Sequence, residues 1–127
     1  MILGVGTGHV EAEFGLLGVP FRVRGRRTTE AIELVRRAFA DEWTAGDFGQ
    51  APRPVQPGGP PIWVGGSSPA TRRRAAEHGD GWLPQGPPDV GMPAAIDEMH
   101  HLRRAAGRDG RPFAIVGSAG VHVGTPA

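Results

Sequence analysis

The sequence predicts an α/β fold, with four strands and three helices alternating along a parallel sheet. Three observations carry this. Short apolar runs, "ILGVG", "PIWVGG" and "DGWLP", stop abruptly at glycine or proline. Between the last two lies a helical stretch of barely ten residues, so strand, helix and strand recur within about 25 residues, the rhythm of βαβ units. Finally, the order β-α-β-α-β-α-β implies parallel strands joined by right-handed crossovers.

The elements follow in chain order. Residues 2–6 form the first strand, and a polar, glycine-containing loop is expected to continue to about residue 28. A helix from about Thr29 to Trp43 carries the apolar stripe Ile32, Val35, Phe39 and Trp43 at helical spacing. Residues 44–60 hold four prolines and four glycines and are expected to be irregular, as a linker or an active-site loop. "PIWVGG" is the second strand. In the helix that follows, from about Pro69 to His78, Ser67 or Ser68 suits the N-cap, Pro69 the first turn and Gly79 the C-cap. "DGWLP" is the third strand. A helix from about Pro93 to Ala106 places Ile96, Met99, Leu102 and Ala106 on one face, and "FAIVGSAGVHV" closes the chain as a strand.

At 127 residues the chain is one domain, about half the roughly 250 residues of a complete (β/α)8 barrel. It has no cysteine, which excludes disulfides, thiolate metal sites and a thiol nucleophile. No membrane span or signal peptide is read, and a soluble, cytoplasmic protein is expected. All 14 basic residues are arginine and lysine is absent. A GC-rich coding sequence produces that bias. With a net charge of +1 and no aromatic residues among the arginines, composition argues against nucleic-acid binding.

Two stretches carry chemistry. "WVGGSSP" describes a strand running into a helix N-terminus, where unpaired N–H groups and the helix dipole favour an anion, most often a phosphate. "LGVGTGHVEAEFG" looks like a dinucleotide fingerprint, but His9 or Glu11 falls where the third glycine belongs. What remains is a strand end of small residues, Gly6, Thr7 and Gly8, with His9 beyond it, at the end of the sheet where ligands sit in parallel α/β proteins. His9 has a pKa suited to proton transfer near neutrality, and it reads equally as an exposed loop histidine. Glu13 suits a salt bridge with an arginine such as Arg26. Trp63 and Trp82 read as core rather than cofactor contacts. No metal constellation appears; His100 and His101 are adjacent on a helix and point apart.

Taken together, "LGVGTGHVEAEFGLLGVPFRVRGRRTTEAIELVRRAF", "PRPVQPGGPPIWVGGSSPATRRRAAEHGDGWLP" and "FAIVGSAGVHV" resemble the bacterial luciferase-like monooxygenase family, most closely its coenzyme F420-dependent branch. The resemblance covers about residues 2 to 123. It implies a partial (β/α)8 TIM barrel, approximately strands 4 to 7, with the cofactor at the C-terminal mouth. It also implies that Gly65, Gly66 and Ser67 meet the cofactor phosphate, that Thr7 and Gly8 line the ring pocket, and that His9 stands where some members carry a proton donor. The implied cofactor is coenzyme F420, with FMN as the alternative, and the implied reaction is hydride transfer to or from a small organic substrate, or oxygen insertion with FMN. Two other readings stay open: a non-catalytic fragment that needs a second copy or the missing barrel half, and a small phosphate-binding module without redox chemistry.

Overall fold

The computed structural model describes residues 1–40 and 51–117. Within them lie four strands, β1 (Leu3–Val5), β2 (Ile62–Gly65), β3 (Gly81–Leu83) and β4 (Ala114–Ile115). The helices are α1 (Glu11–Leu16), α2 (Arg24–Phe39), α3 (Pro69–His78) and α4 (Met92–Ala105). The strands form one sheet in the order β1-β2-β3-β4, and every pairing is parallel. The sheet is open.

Alternation along the strands decides which face is covered. Ile62 and Val64 of β2 and Trp82 of β3 are buried in one core with Ile32 of α2, Ala75 and Ala76 of α3, and Ala95 and Met99 of α4. Residues between them point the other way. The register aligns Gly4, Trp63, Gly81 and Ala114 in one row across the sheet. Trp63 is the one large side chain in that row, and a Cβ on Gly81 would meet its indole at 2.6 Å. Among the described residues the core helices pack on one face, over strands that follow in sequence order, which is the arrangement of a barrel wall; a doubly wound sheet has helices on both faces.

Several expected boundaries move. The stretch after β1 is not a loop to residue 28. It contains α1, whose first turn carries Glu11 and Glu13 at the end the helix dipole favours, and then a 3₁₀ turn at Phe21–Val23 that leads directly into α2. Helix α2 therefore begins at Arg24 rather than Thr29. Thr28 and Thr29 lie inside it, their hydroxyls donating to the carbonyls of Arg24 (2.9 Å) and Gly25 (3.3 Å). Of its expected stripe, Ile32 is buried and Val35 and Phe39 half-buried, while Trp43 lies outside the described residues. So do residues 44–50 of the expected irregular stretch; residues 51–60 hold no helix or strand.

Helix α3 has the expected bounds, with Ser68 as N-cap and Pro69 in the first turn. Gly79 is its C-cap, but with φ −91° it is not left-handed. Proximity selects glycine there instead, because a Cβ would lie 2.8 Å from the Ala75 carbonyl and 3.1 Å from Val64 Cγ2. In α4, Met99 is buried as expected; Ala106 is exposed, and Ala95 and Arg103 complete the buried face. The closing strand is described only over Ala114–Ile115, and residues 118–127 of its expected run lie outside the described residues. Arg26 pairs with Glu30 one turn along α2, at 2.9 Å, rather than with Glu13. No helix among the described residues is long and apolar enough to cross a membrane.

Candidate functional site

The connection from β2 to α3 is built by backbone. Gly66 has φ +122°, and a Cβ there would lie 3.1 Å from Thr71 Oγ1, so both conformation and space require glycine. Its N–H donates to the Leu83 carbonyl at 2.9 Å, and its carbonyl accepts from Trp82 Nε1 at 2.7 Å. The turn is thus clamped from β3 on both sides. Ser68 closes the first turn of α3: its Oγ accepts from the Thr71 N–H (3.3 Å) and bonds Thr71 Oγ1 (2.9 Å).

Three donors remain. The N–H groups of Ser67, Ser68 and Ala70 have no acceptor among the described residues, and they stand at the positive end of α3. Such an arrangement receives an anion. The Ser67 hydroxyl, by contrast, is directed at the Gln85 (3.0 Å) and Gly86 (2.8 Å) carbonyls. The Ser67 N–H is therefore left without an acceptor among the described residues while its side chain pins the loop after β3. At Gly65 a Cβ would make only ordinary contact with that loop, with Gln85 Nε2 at 3.5 Å.

Trp82 holds this geometry through one bond, and it is fully buried as the core reading expected. Trp82→Phe leaves the Gly66 carbonyl without its donor and also removes part of a fully buried side chain. The expected cost is about 3 kcal/mol of stability or more, measured by urea denaturation. A neutral result would show that the indole N–H does not hold the turn.

The neighbouring strand contributes the second group. Thr7 is half-buried beyond the end of β1. Gly8 has φ +72°, with the Phe14 ring 3.0 Å from where a Cβ would sit. His9 is exposed between β1 and α1. Because Val5 aligns with Val64, these residues follow the same end of the sheet as Gly65 and Gly66. Thr7, Ser68 and Thr71 line a common cavity of about 200 Å³ with Arg22, Arg24 and Arg74. A larger cavity of about 520 Å³ runs along β1, between Leu3, Val5, Phe14 and Ile32.

A model of the luciferase-like monooxygenase family matches residues 1–127. The chain belongs to the luciferase-like monooxygenase family. Uncharacterized relatives from Mycobacterium tuberculosis and Mycobacterium bovis are 38% identical over 121 residues. That match takes in 89% of this chain and 41% of theirs, so the chain spans under half the length of these relatives. Among solved structures, monooxygenase RslO1 from Streptomyces bottropensis is similar with a TM-score of 0.60 and 26% identity, over 88% of this chain and 38% of that one.

Arginines 22, 24 and 74 line the smaller cavity, whereas the sequence reading puts the chain's excess of arginine down to composition. Arg74 sits one turn after Thr71 on α3, where both line the cavity. That spacing was the available signal.

Proposed function

We propose that this chain carries the phosphate-binding part of a flavin- or F420-dependent oxidoreductase, which transfers hydride to or from a small organic substrate. One observation carries the reading: a glycine turn clamped by Trp82 and Leu83 presents three N–H groups without acceptors at the start of α3. Members of the luciferase-like family use flavin or F420 cofactors, and a phosphate matches what this turn offers. Gly65 and Gly66 let the cofactor approach backbone, and the N–H groups of Ser67, Ser68 and Ala70 bind the phosphate. Thr7 and Gly8 border the ring. The cofactor supplies the hydride chemistry; the chain binds it, orients it and limits water access. His9, exposed beside Gly8, donates or takes the proton that accompanies hydride transfer. F420 is favoured over FMN by the resemblance, which makes reduction or dehydrogenation the reaction rather than oxygen insertion.

The test is a fluorescence titration of the folded chain with FMN and coenzyme F420 in parallel, with circular dichroism to establish folding. Saturable micromolar binding of one of them is expected. A folded chain that binds neither would pass the activity to a longer protein.

The open sheet supports a second reading, in which the chain completes its barrel with a second copy or with a separate barrel half. The large cavity along β1 is lined mainly by apolar residues, and the parallel edges of β1 and β4 lack neighbours among the described residues. Sedimentation of a folded monomer would count against this reading.

A further inference from the structure

Among the described residues the three buried arginines differ: Arg72 meets carboxylates, Arg103 meets the backbone carbonyls of Arg108 and Arg111, and Arg74, near the start of α3, has neither. Arg72 meets Asp89 and Glu98, Arg36 meets Asp80, and Arg26 meets Glu30. Arg74 meets none. It is 9% exposed, and its one hydrogen bond runs from Nε to Thr29 Oγ1 at 2.9 Å. Neither terminal nitrogen has an acceptor among the described residues. Burial alone shifts its pKa, downward, yet a guanidinium stays charged at any physiological pH.

Two further features keep that charge in the cavity. Gly25 of α2 lets the guanidinium pass, since a Cβ would stand 2.9 Å from Arg74 Nη2. Arg24 is fixed beside it, its guanidinium 3.6 Å from the Phe21 ring centroid and its Nη1 donating to the Phe21 carbonyl at 3.1 Å. Arg22, exposed, lines the same cavity, and among the described residues neither Arg22 nor Arg24 pairs with a carboxylate. A buried charge without a counter-ion costs several kcal/mol. Arg74 is such a group, and with the half-buried Arg24 and the exposed Arg22 lining the same cavity of about 200 Å³, the three call for an external anion with more than one negative group.

Building on the cofactor reading above, we propose that Arg22, Arg24 and Arg74 bind the carboxylates of the γ-glutamyl chain that continues beyond the phosphate of coenzyme F420. The cavity is lined by Ser68 and Thr71, which border the turn assigned above to the phosphate, and by the exposed Arg22. FMN ends at its phosphate and leaves these arginines unmatched. The cluster thus selects the cofactor with an acidic tail.

The test titrates the chain with F420 bearing several glutamates, with the same cofactor lacking them, and with FMN. Free γ-linked triglutamate is a fourth ligand, followed by NMR. The tail is expected to tighten binding about tenfold or more. Arg22→Gln, at an exposed position, should remove most of that advantage and leave the tail-free form within about twofold. Arg74→Gln should do the same where circular dichroism shows it folded. Equal affinity of the two F420 forms for the wild-type chain overturns the proposal. So does an Arg22→Gln chain that loses both forms equally, because the arginines would then serve the phosphate. Should no cofactor bind, saturable triglutamate binding abolished by Arg22→Gln would sustain the acidic-chain site while the cofactor reading falls; no triglutamate binding would end both.

Discussion

Arg72→Ala is expected to lower folding stability by about 3 kcal/mol, at the lower end of what breaking a buried ion pair costs. The Arg72 side chain is 2% exposed. Its Nε donates to Glu98 Oε2 at 2.7 Å, and its Nη1 donates to Asp89 Oδ1 at 2.8 Å and to the Ser67 carbonyl at 2.7 Å. One guanidinium therefore ties α3 to α4, to the loop before α4 and to the candidate anion turn. The lower end applies because Asp89 and Glu98 are partly exposed and regain water when the arginine goes. Urea denaturation of both chains measures the difference. A loss below about 1 kcal/mol would show that the network contributes little beyond its packing.

The same network has a pH signature. The Arg72 hydrogen bond holds the Asp89 carboxyl below its ordinary range. A carboxyl whose pKa is lower in the folded chain than in the unfolded one stabilises the fold above the ordinary carboxylate pKa, about 3.9. That contribution drains as pH falls through the folded value. Asp89→Asn should therefore flatten the acid limb of the stability profile and leave the profile above neutrality parallel to wild type. An unchanged acid limb would mean that Asp89 and Arg72 are not coupled in solution.

What was legible in the sequence was punctuated by residues with strong local preferences. Ser68, Pro69 and Gly79 set the bounds of α3, and the glycines after Val64 marked the turn. Parallel pairing followed from the alternation of elements, which needs no side-chain detail. Helix α1 was hidden because its six residues include Gly15 and no side chain caps it. The first turn of α2 was hidden because it carries Gly25, which helices disfavour, and because Thr28 and Thr29 resemble residues placed at caps.

Side-chain roles depended on distant partners and were the least legible. Composition accounts for how many arginines the chain has, but not for why Arg72 meets two carboxylates and Arg74 none. Those carboxylates lie 17 and 26 residues further along the chain. The Ser67 hydroxyl likewise turns to carbonyls 18 and 19 residues away. No local pattern around Ser67 reports that loop.

Gly66 offers the sharpest test of the turn, because two substitutions there share one strain and differ in charge. Gly66→Ala forces a side chain into φ +122° with its Cβ 3.1 Å from Thr71 Oγ1. The expected cost is about 1–3 kcal/mol of stability. Gly66→Glu carries the same strain and adds a carboxylate beside the N–H groups of Ser67 and Ser68, where it competes with a phosphate and repels it. In an intact barrel containing this segment, the glutamate variant should lose cofactor affinity about 100-fold or more, equivalent to about 2.7 kcal/mol, and the alanine variant several-fold less. Denaturation of both variants calibrates the shared strain, and titration isolates the charge. If the two variants bind cofactor equally, the charge at position 66 goes unfelt, and the phosphate lies somewhere other than the start of α3.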